Sequence, residues 1–275
     1  MFRNHAFSGT LGLIAGKGDF PVLFAEAASS LKQPLVVFGI HGYTDPRVEP
    51  FAKETHYLEL GALGRLVDLL KETKVRKVVL AGGIPKREMY NPSFRMDETA
   101  TGFIQQTRNK GDDHILKALQ FFLKAKCGVS IIDSRIFLKN VLAPKGVMTR
   151  RALTKAESDD LKFGWRIAKG IGKMDIGQTV VIKDGVVLAV EALEGTDAAI
   201  RRGGQLSGNG AVIVKVAKPN QDLRFDLPCI GHETLESMKA VGSKVIGVEA
   251  SKTVLLFKEK LIEAANQADL SLVGI

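Results

Sequence analysis

The chain has 275 residues, of which 45% are hydrophobic and 25% are charged, and its formal net charge is +9. This composition is typical of a globular protein with one large domain or two ordinary ones, and it argues against a disordered or fibrous chain. No apolar run reaches the roughly 18 residues that a membrane-spanning helix needs, and we expect no signal peptide. The aromatic residues do not interleave with basic runs, so we expect no surface for single-stranded nucleic acid.

The charge and the thiols indicate a compartment and a class of ligand. A net charge of +9 favours anionic partners such as nucleotides or phospholipid headgroups, without choosing among them. Cys127 and Cys229 lie far apart in the sequence, which fits free thiols in a reducing cytoplasm better than a disulfide scaffold. Peripheral contact with the inner membrane and formation of a homodimer both stay open.

The first half of the chain alternates short apolar runs with amphipathic segments. Strands are predicted at residues 10–15, 35–40, 56–60, 77–81 and 129–133, and helices at 20–31, 61–73 and 111–126. This β-α-β alternation predicts an α/β domain with a doubly wound, largely parallel, Rossmann-like sheet. In such a sheet a ligand lies at the carboxyl ends of the strands.

Two glycine turns follow strands in this half. They contain Gly16, Gly18, Gly82 and Gly83. Glycine lets the backbone approach a phosphate closely, and the first turn precedes a helix with Asp19 as its predicted N-cap. A tight turn without a ligand explains the same residues. The dinucleotide fingerprint is incomplete, because Pro21 stands where a third glycine belongs.

The second half is predicted to be an α+β domain, mostly hairpin-connected. An aperiodic, charged stretch near residue 144 sets the predicted boundary, with domains at 1–143 and 144–275. Asp184 and Gly185 predict a hairpin turn, and Gly203-Gly204 is expected to end a helix that Thr196 caps. Helices are predicted at 155–171, 196–202, 233–241 and 258–268, and strands at 178–183, 186–193, 211–214, 244–250 and 253–257.

The most polar stretch spans residues 215–228, directly after a buried strand. If it is extended, Asp222, Arg224 and Asp226 share one face, and the apolar residues between them pack on the other. The cations suit a phosphate-bearing ligand, and the carboxylates suit a divalent cation or a water molecule to be deprotonated. A solvated loop with an Asp–Arg–Asp ion-pair ladder explains the pattern as well.

Four motifs occur in a fixed order along the chain. They are LIAGKGDFP at 13–21, DIGQ at 175–178, EALEGTD at 191–197 and KVAKPNQDLRFDLP at 215–228. In this order they resemble the motifs of the UDP-2,3-diacylglucosamine pyrophosphatases of the I type. The resemblance covers nearly the whole chain, and the last two motifs are the most specific.

The resemblance implies a cytoplasmic, two-domain enzyme of lipid A synthesis. Such an enzyme hydrolyses UDP-2,3-diacylglucosamine to 2,3-diacylglucosamine 1-phosphate (lipid X) and UMP with Mg²⁺, and holds its substrate between the domains. The essential aspartate of the family maps onto Asp226. No serine or cysteine nucleophile maps onto this chain, and Cys229 stands where a threonine is usual, so the resemblance favours direct attack by water.

Pyrophosphate hydrolysis needs neutralised phosphoryl oxygens and a positioned water molecule. The predicted catalytic residues are Asp226, Asp222, Glu194 and Lys215, and the three carboxylates are also the predicted Mg²⁺ ligands. The predicted substrate-binding residues are Gly16, Gly18, Gly82, Gly83, Thr196, Asp197, Lys218, Gln221 and Arg224. Which carboxylate binds metal and which orients water stays open, and helix capping explains Thr196 and Asp197 as well.

Two other classes of function stay open. A nicotinamide oxidoreductase would use the first glycine turn, but the incomplete fingerprint and the lack of an acid after the second strand count against it. A non-catalytic protein that binds anionic lipid or nucleic acid would explain the charge, and its binding would weaken steeply with salt.

Overall fold

The computed structural model describes residues 7–84, 94–107, 112–219 and 221–275. The chain divides into two compact units. One comprises Met1–Lys139 with Asp222–Asp226, and the other comprises Asn140–Gln221 with Leu227–Ile275. The short segment Asp222–Asp226 therefore belongs to the first unit, although it lies far from the rest of that unit in sequence. Among the described residues, no helix has both the length and the apolar composition needed to cross a membrane.

The first unit is an α/β structure with one parallel sheet. Its strands are β1 (Leu11–Ala15), β2 (Leu35–Ile40), β3 (Glu54–Leu58), β4 (Lys77–Ala81) and β5 (Ser130–Ile131). Its helices are α1 (Phe20–Ser30), α2 (Leu63–Glu72), α3 (Glu98–Thr107) and α4 (Asp112–Cys127), with short 3₁₀ helices at Pro46–Phe51 and Ser134–Ile136. The strand order is β3-β2-β1-β4-β5. The chain runs outward from β1 to β3 and then crosses back to β4, so β1 and β4 form the topological switch point.

Helices cover both faces of this sheet. Val36 and Phe38 of β2 belong to a core cluster with residues of α2 and α4. The alternating residues Leu35 and Val37 are equally buried on the opposite face, and α1 contacts β1, β2 and β4. Apolar side chains on both faces are typical of parallel strands. The predicted strands at 35–40 and 77–81 are confirmed at both ends, whereas α3 was not predicted.

The second unit is built on a mixed sheet. Its strands are β6 (Gly146–Val147), β7 (Thr179–Lys183), β8 (Val186–Val190), β9 (Val212–Lys215), β10 (Cys229–Ile230), β11 (Val245–Val248), β12 (Val254–Leu255) and β13 (Ser271–Gly274). Its helices are α5 (Lys155–Lys173), α6 (Thr196–Ser207), α7 (His232–Ala240) and α8 (Lys258–Gln267). The six-stranded sheet has the order β6-β13-β11-β9-β7-β8, and β10 pairs with β12 separately.

The prediction that this half is mostly hairpin-connected was wrong. The central strands β9, β11 and β13 are parallel to one another, and only β6, β7 and β8 bring antiparallel pairs into the sheet. Parallel neighbours need crossover connections, which α7 and α8 provide. The last strand, β13, was not predicted.

The predicted β7–β8 hairpin is confirmed in detail. Asp184 and Gly185 both have positive φ angles, of 50° and 75°, as the favoured two-residue turn requires. The backbone N–H groups of Asp184 and Gly185 donate to the buried carboxylate of Asp160 on α5, at 2.9 and 2.7 Å. The hairpin is therefore fixed both by its own turn residues and by a side chain from a helix.

The prediction that Gly203-Gly204 ends α6 was wrong, because the helix continues through both glycines to Ser207. An added Cβ at Gly203 would lie 2.6 Å from Val181, and one at Gly204 would lie 2.1 Å from Val241. These glycines therefore let α6 pack closely against β7 and the end of α7. A glycine pair has the same appearance in sequence whether it ends a helix or allows close packing.

Candidate functional site

The two predicted glycine turns lie side by side at the carboxyl ends of β1 and β4. The N–H of Lys17 donates to the carbonyl of Gly83 at 2.8 Å, and the N–H of Gly83 donates to the carbonyl of Lys17 at 3.1 Å. The N–H of Gly16 donates to the carbonyl of Ala81 at 2.8 Å. The turns are thus joined to each other at the switch point of the first sheet, where the sequence placed a ligand.

The glycines in these turns have different roles. An added Cβ at Gly16 would lie 2.6 Å from the carbonyl oxygen of Gly83, and one at Gly82 would lie 2.7 Å from that of Lys17. Close packing of the two turns therefore explains Gly16 and Gly82 without a ligand. Gly18 has a φ of 99°, and among the residues that the structure describes none places an atom within 4 Å of its added Cβ.

Asp19 does not act as the predicted side-chain cap of α1. Its carboxylate instead pairs with Arg47 at 2.6 Å, and Arg47 also pairs with Asp45 at 2.7 Å. Hydrogen bonds from Arg47 lower the pKa of Asp45. Asp19 therefore links α1 to the 3₁₀ helix that follows β2, an ion-pair role that a capping pattern does not reveal.

The segment Asp222–Asp226 forms a turn, so the prediction of an extended segment was wrong. The N–H groups of Phe225 and Asp226 both donate to the carbonyl of Asp222, at 2.9 and 3.4 Å. The Asp222 carboxylate accepts from the Arg224 backbone N–H at 3.1 Å and from its guanidinium at 2.6 Å. Such local side-chain bonds compete with strand pairing. Asp222, Arg224 and Asp226 therefore do not lie along one face of a strand.

This turn is anchored in the core of the first unit. Phe225 is 6% exposed and packs in the cluster that contains β2, α2 and α4. Arg224 and Phe225 line an open cavity of about 430 Å³ together with Lys117, Phe121 and Ile131. The hydrogen bond from Arg224 lowers the pKa of Asp222, and the charge of Lys117 acts in the same direction. Asp226 follows the anchor and has an exposed side chain.

In the second unit, Lys215 lies at the carboxyl end of β9 and belongs to a buried polar network. Its ammonium group donates to Thr196 Oγ1 at 2.9 Å and to the carbonyl of Cys229 at 2.8 Å. Thr196 begins α6, and its hydroxyl donates to the carboxylate of Glu191 at 2.9 Å. Glu191 follows the end of β8, so these polar groups meet at the edge of the sheet where β8 and β9 end.

The predicted ligand residues Lys218 and Gln221 lie just beyond this network. Lys218 pairs with Asp175 at 2.6 Å, and its side chain is 11% exposed. The backbone N–H of Lys218 donates to Gln221 Oε1 at 2.9 Å. Both residues therefore help to shape the start of the polar loop, residues 215–228. These contacts do not test whether the two side chains also bind substrate, which stays a prediction.

A second carboxylate, Glu249, fixes the base of this loop. It pairs with Lys169 at 2.5 Å and with Lys252 at 2.7 Å, and it accepts the backbone N–H of Ala217 at 2.8 Å. Lys169 also donates to the carbonyl of Ala217 at 2.9 Å. Residue 217 is therefore held through both its N–H and its carbonyl.

The remaining predicted residues, Glu194 and Asp197, lie near the start of α6. Glu194 has an exposed side chain that pairs with Arg202 at 2.5 Å. Burial raises the pKa of Glu194, but the hydrogen bonds from Arg202 and from backbone N–H groups outweigh it, so its pKa is lowered. In the described part of the chain, the buried Oδ1 atom of Asp197 has no hydrogen-bond partner.

The predicted metal ligands are divided between the two units. Asp222 and Asp226 belong to the first unit, and Glu194 belongs to the second. Among residues 7–84, 94–107, 112–219 and 221–275, no group of three or more histidine, cysteine or acidic side chains is arranged to hold a metal ion. Mg²⁺ often takes only one or two carboxylates and completes its shell with phosphate oxygens and water, so carboxylates without a cage still fit that ion.

Sequence reasoning missed four residues of these networks: Glu191, Lys169, Glu249 and Lys252. Glu191 lies in the same EALEGTD motif as Glu194, and alternation along a strand would place the two on opposite faces. Because β8 ends at Val190, this alternation does not show which of the two glutamates is buried. The structure does, since Glu191 is 7% exposed whereas Glu194 is exposed to solvent. Lys169 and Glu249 had no signal in sequence, because they are far apart in the chain.

The fold and these networks define a two-unit α/β protein with polar groups gathered where strands of each sheet end. Residues 10–141 match the LpxI N-terminal domain, and residues 144–273 match the LpxI C-terminal domain. A relative from Caulobacter vibrioides, named UDP-2,3-diacylglucosamine pyrophosphatase LpxI, is 30% identical over 276 residues, covering 96% of this chain and 97% of the relative. The chain belongs to the LpxI family, and the resemblance seen in the motifs is confirmed.

Similarity to solved structures is weak. The biotin carboxylase domain of Hydrogenobacter thermophilus 2-oxoglutarate carboxylase is 15% identical with a TM-score of 0.26, over 64% of this chain and 35% of that one. N5-carboxyaminoimidazole synthetase from Staphylococcus aureus is 14% identical with a TM-score of 0.24, over 66% of this chain and 40% of that one. Values this low support no conclusion about this chain.

Proposed function

We propose that this protein hydrolyses the pyrophosphate bond of UDP-2,3-diacylglucosamine to give UMP and 2,3-diacylglucosamine 1-phosphate. The observation that carries the proposal is the end-to-end similarity to a relative that bears the name of this activity. The first unit would act as a Rossmann-like domain, on the ground of its strand order and its glycine turns at the switch point. The reaction would take place in the cytoplasm, where the protein meets the membrane face that holds its diacylated substrate.

In this proposal the cations of the polar loop bind the diphosphate. Lys215 uses two of its three N–H donors within the described part of the chain, and the third is directed to a phosphoryl oxygen. Lys218 and Arg224 add positive charge along the loop. Fixed positive charge stabilises the transition state because negative charge is spread over the phosphoryl oxygens.

Asp226 is assigned to the attacking water molecule or to Mg²⁺. A carboxylate within hydrogen-bond reach of a water molecule can orient it and accept its proton. When bound, Mg²⁺ would neutralise charge on the diphosphate, held by one or two of Asp226, Asp222 and Glu194 and by the substrate itself. Both bonds of the reaction are then accounted for: water oxygen joins one phosphorus, and the bridging oxygen leaves with the other.

Release of UMP from the purified protein tests the proposal. UDP-2,3-diacylglucosamine and Mg²⁺ are incubated with the protein, and UMP and lipid X are quantified by mass spectrometry. We expect equal amounts of both products. UDP-N-acetylglucosamine serves as a matched substrate without the two acyl chains, and slower turnover is expected for it. Absence of UMP above background from folded protein would contradict the proposal.

A further inference from the structure

Glu191 is a buried carboxylate that sequence reasoning did not select. It is 7% exposed, and its two oxygens accept from the Thr196 hydroxyl at 2.9 Å and from the Gln178 backbone N–H at 3.3 Å. Within the part of the chain that the structure describes, no lysine or arginine forms an ion pair with it. A carboxylate in such a place is unfavourable unless it is well hydrogen-bonded, so a neutral residue would serve mere packing better.

The hydroxyl of Thr196 connects Glu191 to Lys215. An ionised carboxylate can only accept hydrogen bonds, and an ammonium group can only donate them. The Thr196 hydroxyl must therefore donate its proton to Glu191, which leaves its lone pairs to accept from Lys215 at 2.9 Å. Glu191 therefore determines that the Thr196 hydroxyl accepts the hydrogen bond from Lys215.

Lys215 has little freedom in this arrangement. It is 6% exposed and is also held by the carbonyl of Cys229 at 2.8 Å. With two of its donors fixed, the direction of the third is fixed as well, because the three N–H bonds of an ammonium group are tetrahedral. A lysine whose last donor points in one direction is suited to a single phosphoryl oxygen.

We infer that Glu191 is a positioning residue, which acts through Thr196 to hold Lys215 in place for the diphosphate of the substrate. The inference rests on the proposed function and assigns a role to a residue outside the predicted catalytic set. Groups that orient a metal ligand typically change affinity or activity by roughly 10- to 100-fold when they are removed, and we expect an effect of that size for a group that orients Lys215. Thr196 forms the bridge between Glu191 and Lys215, and this role is separate from its place as the first residue of α6.

A double-mutant cycle tests whether Glu191 acts through Lys215. Glu191→Ala and Glu191→Gln are made in the natural protein and in Lys215→Met, with Glu263→Gln, an exposed glutamate on α8, as the matched control. We expect Glu191→Ala to lower kcat by roughly 10- to 100-fold with an unchanged thermal midpoint and a nearly unchanged KM. In the Lys215→Met protein, Glu191→Ala should lower kcat by less than about threefold, because the two residues act as one unit. Equal losses in both backgrounds would contradict the inference.

Substitutions at Thr196 give an independent test that does not need the Lys215→Met protein. Thr196→Ser keeps the bridging hydroxyl and should retain kcat within about threefold, whereas Thr196→Val removes it and should match Glu191→Ala. A valine protein with normal kcat, or a serine protein as slow as the valine protein, would overturn the role of the bridge. Absent turnover in the natural protein would instead contradict the proposed function, so the two failures are distinguishable.

Discussion

Asp226 is the single residue on which the proposed chemistry depends most. It follows the buried anchor Phe225 and its side chain is exposed, while the backbone N–H groups of Phe225 and Asp226 donate to the carbonyl of Asp222. These two backbone hydrogen bonds do not use the Asp226 side chain. Asp222, by contrast, uses its carboxylate to bind Arg224 and to form the turn. The two aspartates of the same turn thus have separable roles.

We expect Asp226→Ala to lower turnover by at least ~10², as for removal of a positioned acid–base group. Substrate binding should persist, because Lys215 and Lys218 still hold the diphosphate. Turnover, substrate affinity by calorimetry and the thermal midpoint are measured together. Asp159→Ala, on the exposed side of α5, is the matched control and should leave all three unchanged. Near-normal turnover, or joint loss of affinity and midpoint, would show that Asp226 has another role.

At the scale of single residues, the sequence indicated which charged residues belong to the site better than it indicated which residues they contact. Lys215, Lys218 and Asp222 stood out because polar residues cluster after an apolar run. The partners of Lys215 and Lys218, which are Thr196 and Asp175, depend on which chain segments meet, whereas Arg224 is close to its partner Asp222 in sequence. The choice of Glu194 rather than Glu191 arose because burial is a tertiary property, which alternation within one strand does not supply.

At the scale of elements, α5 and α6 show two different uses of glycine. An added Cβ at Gly204 of α6 would lie 2.1 Å from Val241, whereas one at Gly170 of α5 would meet no atom of the described residues within 4 Å. We expect Gly204→Ala to destabilise the protein by about 1–3 kcal/mol through overpacking. Gly170→Ala should stabilise it by about 0.5–1 kcal/mol through helix propensity. Chemical denaturation measures both, and a Gly204→Ala protein as stable as Gly170→Ala would contradict the close packing of α6.

The clamp of Glu249 at the base of the polar loop predicts a pH dependence. Burial raises the pKa of Glu249, but hydrogen bonds from Lys169 and Lys252 outweigh it, so its pKa is lowered in the folded protein. A lowered folded pKa contributes stability above the unfolded value, about 4.3, which is lost as the pH falls through the folded value. We therefore expect the thermal midpoint to decrease as the pH is lowered below about 4.3.

The variant Glu249→Gln isolates this contribution. It should lower the midpoint at neutral pH and should flatten the decline at acid pH relative to the natural protein, because the titrating group is gone. Glu263→Gln, which removes an exposed glutamate, should leave the acid decline unchanged. An acid decline of the same steepness in Glu249→Gln would show that the clamp does not carry the effect.

The elements themselves were largely predictable, because periodicity is local. The helix at α5 and the hairpin at Asp184-Gly185 follow from patterns within a few residues. The parallel pairing of β9, β11 and β13 does not, since it depends on crossovers through α7 and α8. The polar loop was misjudged for a related reason: a strand pattern and an aspartate-led turn use the same residues, and the bonds of Asp222 decide between them.

At the scale of the whole molecule, the chain is not divided at one point in sequence. The turn Asp222–Asp226 belongs to the first unit, while the residues on either side of it belong to the second. The predicted catalytic residues are divided in the same way, with Asp222 and Asp226 in one unit and Glu194 and Lys215 in the other. A long-range exchange of this kind has no signature in composition or periodicity.

The whole protein should need a divalent cation for turnover. The proposed substrate is a diphosphate, and the predicted carboxylates offer the oxygen ligands that Mg²⁺ prefers. We expect EDTA to abolish UMP release and added Mg²⁺ to restore it, with the thermal midpoint as a control for folding. Undiminished turnover after exhaustive metal removal would contradict this expectation and would leave charge neutralisation to Lys215, Lys218 and Arg224.

Hydrolysis itself is tested most directly by following the oxygen of water. A single turnover of UDP-2,3-diacylglucosamine is carried out in ¹⁸O-labelled water, and both products are analysed by mass spectrometry. The account predicts UMP and lipid X in equal amounts, with one labelled oxygen in one of the two products, because a water oxygen joins a single phosphorus. Absence of UMP, or products without any label, would contradict it.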